Sequence, residues 1–136
     1  MHAVAAVTMI VIDGSALVVA VVDTTERGRS VRARLTDGAI APHLVDAEVG
    51  QAVRGLVQRG VIDAKAGERS LRAAEALVVE RWADQPLRSR AWQLRDNVSF
   101  HDALYVAVAE RTDLPLLTAD ARLAGAHGPR ASIETL

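Results

Sequence analysis

The stretch SFHDALYVAVAE, residues 99–110, holds the main clue to how this chain folds. The run from Ala103 to Ala109 leaves almost no polar face, so it predicts a helix that is buried on most sides. The first turn of this helix nevertheless contains a carboxylate, Asp102. Its spacing from Ser99 fits a capping box, in which the two side chains satisfy backbone N–H groups at the helix start. A charge at the start of a buried helix is also the kind of exception that points to a chemical site.

Length and composition limit the class of protein. The 136 residues have the length of one domain, and we interpret residues 1–136 as a single domain in which residues 1–8 form an extension ahead of Met9, an alternative start. The chain has no cysteine and a net charge of −1, which excludes disulfides, thiolate metal sites and an overall basic field. No stretch is long and apolar enough for a membrane span or a signal peptide. We therefore expect a cytoplasmic protein with no membrane partner.

Short apolar segments alternate with helical patterns along the chain. Such alternation is typical of βαβ units, so it predicts an α/β fold with a mostly parallel central sheet flanked by helices. In a sheet of this kind, ligands bind at the carboxyl ends of the strands. We expect Ser15 to cap the first helix and Asp63 to cap a later one. The predicted strands lie within residues 9–13, 39–42, 77–82, 114–118 and 131–136, and the predicted helices span residues 15–22, 26–35, 44–59, 64–77, 87–94, 99–110 and 119–126.

Four carboxylates fall at the predicted strand ends or helix starts. Asp13 ends the first strand, Asp120 follows the strand LLT, Asp102 opens the buried helix, and Glu48 lies on the apolar stripe of its helix. Each has an ordinary explanation as a turn or cap residue. If they meet, however, two carboxylates ~5 Å apart repel by about 3 kcal/mol at an effective dielectric of ~20. Such a cluster takes up protons or binds a cation, and oxygen ligands favour Mg²⁺ or Mn²⁺.

These residues also carry a resemblance to a known family. In order and spacing, MIVIDGSAL, DAEV, SFHDALYVAVAE and LLTADARL resemble the motifs of PIN-domain ribonucleases, and most closely those of the VapC toxins of bacterial toxin–antitoxin pairs. The resemblance runs from about Met9 to the C-terminus and implies a PIN-like three-layer fold. Its one departure is His101, where the family often has a tyrosine. The resemblance implies that Asp13, Glu48, Asp102 and Asp120 are catalytic and hold Mg²⁺ or Mn²⁺, with Thr118 and Ser15 in supporting roles.

The resemblance also implies a function and partners. It indicates a metal-dependent endoribonuclease, the toxin of a VapBC-type pair, which hydrolyses phosphodiester bonds in a structured RNA such as a tRNA or rRNA. A VapB-type antitoxin would keep the enzyme silent. We expect a homodimer that uses exposed valine-rich surfaces of the first helices. Trp82 and Trp92 are interpreted as core or subunit-contact residues. The candidate RNA-binding residues, which equally fit a solvated charged face, are Arg27, Arg29, Arg32 and Arg34.

Two alternatives to a nuclease remain open from the sequence. A PIN domain that has lost catalysis would act as an RNA- or protein-binding module, although its intact acids argue against this. A phosphoacceptor receiver domain also uses acids at strand ends, but it needs a lysine after a late strand, whereas Lys65 lies at a predicted helix start. A dinucleotide-binding domain lacks its glycine fingerprint in DGSALV. A haloacid-type phosphatase would need an aspartate at the position of Ser15.

Overall fold

The computed structural model describes residues 9–136, so the proposed extension, residues 1–8, lies outside the described residues. Within this part of the chain, five strands form one sheet in the order β3-β2-β1-β4-β5, and all four pairings are parallel. The prediction of a parallel α/β sheet is therefore confirmed. The strands are β1 (Ile10–Ile12), β2 (Ala39–Pro42), β3 (Val78–Trp82), β4 (Leu116–Thr118) and β5 (Ile133–Thr135).

The helices also lie close to where the sequence predicts them. Their ends differ from the predicted ends by a few residues, and a short 3₁₀ turn (Gln85–Leu87) precedes the fifth helix. Asp63 caps α4 as expected, because its carboxylate accepts the N–H of Ala66 at 2.7 Å. The helices are α1 (Gly14–Val22), α2 (Glu26–Ala33), α3 (Leu44–Gln58), α4 (Ala64–Leu77), α5 (Arg88–Gln93), α6 (Phe100–Thr112) and α7 (Ala121–Ala124).

The order of the strands explains how the helices cover the sheet. The chain moves outward from β1 through β2 to β3 and then returns to β4 on the other side of β1. Because parallel crossovers are right-handed, the helices that follow β1 and β2 cover one face, and those that follow β3 and β4 cover the other. The central strands are then buried on both sides, which is why β1 is continuously apolar rather than alternating. The direction reverses between β1 and β4, and ligands bind at such a switch point.

Helix α6 is the buried helix that its sequence predicts. All seven residues from Ala103 to Ala109 are at most 4% exposed. The helix packs against β1, β2 and β4, and the Ser99 hydroxyl accepts the N–H of Asp102 at 3.1 Å. The apolar run therefore fixes the helix across the centre of the sheet, and its first turn holds Asp102.

Two expectations are wrong in detail. Helix α1 begins at Gly14, so the cap is Asp13, which accepts the Ala16 N–H at 2.9 Å, and not Ser15. The valines of α1 are partly buried rather than fully exposed, because α2, α3 and α4 pack against this helix. Trp82 is half-buried and Trp92 is 60% exposed, so of the two interpretations, core or subunit contact, Trp92 fits only the second, which stays a prediction. Within residues 9–136, no helix is both long and apolar enough to cross a membrane.

Candidate acidic active site

The switch point between β1 and β4 joins two residues that are far apart in the chain. Ile12 pairs with Leu117 in the sheet, so the next residues along, Asp13 and Thr118, lie side by side. The Thr118 hydroxyl donates a hydrogen bond to Oδ2 of Asp13. Thr118 is fully buried and Asp13 is 4% exposed. The parallel register thus places a buried carboxylate at the carboxyl edge of the sheet.

A second hydroxyl completes the hydrogen bonding of Asp13. Ser15 donates to Oδ1 of Asp13 at 2.7 Å and accepts the N–H of Ala119 at 3.0 Å. Thr118 in turn accepts the N–H of Asp120 at 3.0 Å. The two hydroxyls therefore orient Asp13 and tie it to the segment that follows β4, which is the contact that a supporting role requires.

Helix α3 brings Glu48 to the same edge. The buried Tyr105 hydroxyl donates a hydrogen bond to Oε1 of Glu48. Gly14 permits this approach, since a Cβ at that position would lie 3.0 Å from Cβ of Glu48 and 3.2 Å from its Oε1. Burial, together with the hydrogen bond to Glu48, raises the pKa of Tyr105 above its ordinary range. The hydroxyl therefore stays protonated and acts as a fixed donor to Glu48.

Tyr105 belongs to the candidate site but was not among the residues that the sequence predicted for it. A signal was present, because a tyrosine within an alanine- and valine-rich buried run needs a hydrogen-bond partner for its hydroxyl. Nothing in the local pattern identified that partner, since Glu48 lies 57 residues earlier. Only the folded chain reveals the pair.

The carboxylates influence one another electrostatically. Burial raises the pKa of Asp102, and repulsion from Asp13 and Asp120 raises it further. Burial also raises the pKa of Glu48, with repulsion from Asp102 and Asp13 in the same direction and the Tyr105 hydrogen bond opposing them. The Nδ1 atom of His101 lies 3.9 Å from Oε2 of Glu48. The four predicted acids therefore lie close enough to interact electrostatically, and His101 lies at the edge of this cluster.

Asp120 sits at the more exposed side of this cluster. It caps α7 by accepting the Arg122 N–H at 2.9 Å, and the Arg122 side chain lies 3.5 Å from the same oxygen. The hydrogen bonds from Arg122 lower the pKa of Asp120. Asp120 and Asp102 line a shared recess of about 320 Å³, together with Ser99 and Asn97. The recess is open to solvent and gives a ligand access to both carboxylates.

The donor atoms suit a hard divalent cation. They are carboxylate oxygens with hydroxyls behind them, which is the ligand chemistry of Mg²⁺ and Mn²⁺. Among residues 9–136, no three acidic or histidine side chains already form a group that could hold a metal ion. Burial is the main cause of the raised pKa values of Glu48 and Asp102, and neighbouring carboxylates add to it; a bound cation would offset that negative charge. The cluster thus fits a cation in chemistry and charge, as an open arrangement rather than a closed cage.

The arginines of the second helix lie away from these acids. Helix α1 is about 13 Å long, and α2 begins beyond the end of it that is farther from Asp13. Arg32 donates to the carbonyl oxygens of Ala20 and Asp23 near the end of α1, at 2.8 and 2.9 Å. Arg34 forms an ion pair with Glu134 of β5 at 2.7 Å. The structure does not bring Arg27, Arg29, Arg32 and Arg34 to the acidic site, and their contact with RNA stays a prediction.

Comparison with known proteins identifies relatives across most of the chain. A family model of the PIN domain matches residues 10–128. Ribonuclease VapC12 of Mycobacterium tuberculosis is 41% identical over 127 residues, which is 93% of this chain and 98% of that protein. Ribonuclease VapC1 of the same organism is 49% identical over 89 residues, 65% of this chain and 67% of its own length.

Two solved structures share the fold. PAE2754 from Pyrobaculum aerophilum superposes with a TM-score of 0.71 at 23% identity, over 93% of this chain and 83% of its own. VapC20 of Mycobacterium tuberculosis, described as a sarcin-ricin loop cleaving toxin, superposes with a TM-score of 0.62 at 18% identity, over 85% of this chain and 93% of its own. At these identities the likeness is one of fold.

Proposed function

The chain belongs to the PIN-domain family and is a ribonuclease of the VapC type, and we propose that it cuts a structured RNA in the cytoplasm with Mg²⁺ or Mn²⁺ held by Asp13, Glu48, Asp102 and Asp120. The observation that carries the proposal is geometric: Glu48 packs against Gly14, the residue after Asp13, and Asp102 and Asp120 line one recess. Four ionised carboxylates this close together destabilise the folded state unless a cation neutralises them.

Each side chain has a distinct task in this proposal. Asp13 is held in one orientation by Ser15 and Thr118, so it presents a rigid ligand. Glu48 has Oε1 occupied by Tyr105 and Oε2 facing His101. Burial raises the pKa values of both Glu48 and Asp102, so either carboxylate is suited to accept a proton from the attacking water. A bound divalent cation would supply charge stabilisation at the phosphate oxygens.

The substrate and partners follow from the relatives. The neighbouring VapC20 structure is described as cleaving the sarcin-ricin loop, which supports a structured ribosomal or transfer RNA as the substrate here. Cleavage would occur in an unpaired loop, where bases can be splayed out and read. The VapC name implies a VapB-type antitoxin, and an antitoxin arginine would block the site by pairing with its carboxylates. We further propose that the enzyme is a homodimer.

The test compares three Asp-to-Asn variants. Asp13→Asn and Asp102→Asn are incubated with total cellular RNA in Mg²⁺, Mn²⁺ or EDTA after circular dichroism has established that they fold. The matched control is Asp63→Asn, since Asp63 caps α4 just as Asp13 caps α1.

We expect the parent and Asp63→Asn to cut RNA only with the cation. The two site variants should cut more than ~100-fold more slowly. Loss of a group that only hydrogen-bonds to a metal ligand already lowers activity by up to ~100-fold, and these variants change the ligands themselves. Parent-like cleavage by Asp13→Asn would refute the assignment. RNA binding without cleavage by the parent in either cation would favour a silent binding module instead.

A further inference from the structure

A second recess beside the acidic site exposes two aromatic rings. It has a volume of about 370 Å³ and is lined by Arg88, Ser89, Trp92 and Phe100. Trp92 is 60% exposed and Phe100 is 40% exposed, and they are the two aromatic rings among the large apolar side chains exposed in residues 9–136. No described contact of the nuclease chemistry uses either ring, so they need an explanation of their own.

The aromatic recess and the acidic site share the first turn of α6. Phe100 is the first residue of this helix and lines the aromatic recess. The next two residues belong to the acidic site, His101 beside Glu48 and Asp102 beside Asp120. Helix α5, which carries Trp92, packs directly against α6. Phe100 and Asp102 project to different sides of the helix start, so a nucleotide chain that passes around this end of α6 reaches both.

The charges around the recess favour a nucleic acid as its occupant. The guanidinium of Arg95 lies 4.7 Å from the centre of the Trp92 ring, and Arg88 lines the recess wall. Aromatic rings that stack bases, flanked by arginines that meet phosphates, are the usual elements of single-strand recognition. The lining residues include an arginine but no acid, so a second copy docked by its own matching patch would bring no acid from these residues to pair with Arg88.

We propose that Trp92 and Phe100 stack against an unpaired base of the RNA substrate, next to the cleaved bond, while Arg88 and Arg95 contact its phosphates. This inference rests on the proposed ribonuclease function. It assigns the base-binding role to α5 and the start of α6, rather than to the arginine-rich α2. Loss of one stacked base should weaken RNA binding by about 10-fold or more.

The first test uses tryptophan fluorescence. The chain has two tryptophans, so Trp82→Phe leaves Trp92 as the only reporter. This variant is titrated in EDTA, which suppresses cation-dependent cleavage, with a single-stranded RNA of about eight nucleotides and with the same sequence as a duplex. We expect the single strand to quench the Trp92 emission and the duplex to do so far less. Equal emission with and without the single strand at saturating binding would overturn the inference.

The second test uses cleavage kinetics. We expect Trp92→Ala to raise KM about 10-fold or more with little change in kcat, and Trp92→Phe to retain most of the affinity. Trp82→Phe is the matched control and should behave like the parent. Light scattering on the same samples reports the oligomeric state. If Trp92→Ala turns a dimer into a monomer and leaves KM unchanged, the face is a contact between copies and the inference is wrong.

The outcomes separate this inference from the function on which it rests. Parent-like KM for Trp92→Ala, together with loss of cleavage in Asp13→Asn, would leave the ribonuclease function intact and remove only the stacking site. Parent-like cleavage by Asp13→Asn would remove the function, whatever Trp92→Ala does. If Trp92→Ala fails to fold, the fluorescence titration of Trp82→Phe decides the question alone.

Discussion

Replacing Thr118 by valine tests how far one buried hydroxyl organises the site. The shape of the side chain is retained, but Asp13 loses a hydrogen bond to its carboxylate and the Asp120 N–H loses its acceptor. A hydrogen bond to a charged group contributes about 1.5–3 kcal/mol, and no water reaches the Thr118 side chain, which is fully buried. We expect the free energy of unfolding to fall by about 2 kcal/mol in urea denaturation.

The activity of this variant should fall more clearly than its stability. Residues that orient metal ligands cost 10- to 100-fold when removed, so cleavage at saturating Mg²⁺ should slow by about that factor. The control is Thr118→Ser, which keeps the hydroxyl and loses one buried methyl group, worth about 1 kcal/mol. The two variants therefore differ little in stability and greatly in rate. Equal cleavage rates for Thr118→Val and the parent would refute the supporting role of this hydroxyl.

Three further predictions follow from the described contacts. Tyr105→Phe removes the hydrogen bond that holds the Glu48 pKa down, so the acid limb of the pH–rate profile should move to higher pH and the rate should fall about 10-fold or more. Arg90→Met should lower the free energy of unfolding at pH 7 by about 2 kcal/mol without slowing cleavage, because Glu110 loses two hydrogen bonds. Burial raises the pKa of Glu110 but its hydrogen bonds lower it overall, so this loss should be present above pH 4.5 and shrink as the pH falls below that value. Asp102→Asn should raise the melting temperature in EDTA at pH 7, because a carboxylate whose pKa is raised destabilises the fold when ionised, and the gain should shrink as the pH falls towards 3.8.

The elements that the sequence predicted well are those with strong local patterns. The apolar run from Ala103 to Ala109 specifies a buried helix without reference to the rest of the chain. The strands were recognisable because short β-branched runs between helical patterns have few other interpretations. The position of the acids followed from topology, since the carboxyl ends of parallel strands meet at one edge. These features are local, or follow from local features by a general rule.

The details that the sequence left open depend on contacts between distant residues. Both Asp13 and Ser15 are good helix-capping residues, and only the folded chain shows that the helix begins at Gly14 with Asp13 as its cap. The exposure of Trp92 depends on how α5 lies against α6, which no local pattern specifies. The partner of Tyr105 lies on another helix. In each case the deciding interaction is tertiary.

The structural and chemical explanations of the acids turn out to be compatible. Asp13 and Asp120 do cap α1 and α7, as the ordinary interpretation of each residue suggests. Because helices start where strands end, a capping carboxylate already lies at the carboxyl edge of the sheet. A carboxylate has two oxygens, so Asp13 caps the helix through Oδ1 while Oδ2 bonds to Thr118. The residues that cap α1 and α7, Asp13 and Asp120, are therefore also candidate metal ligands.

The most direct test of whether the four carboxylates act as one cation site is to measure how tightly the protein binds Mn²⁺. Calorimetric titration of Mn²⁺ into the metal-free parent, Asp102→Asn and the cap control Asp63→Asn measures the affinity of each without RNA. We expect Asp63→Asn to bind Mn²⁺ like the parent and Asp102→Asn to bind it at least ~10-fold more weakly. Parent-like Mn²⁺ affinity in a folded Asp102→Asn would contradict this expectation.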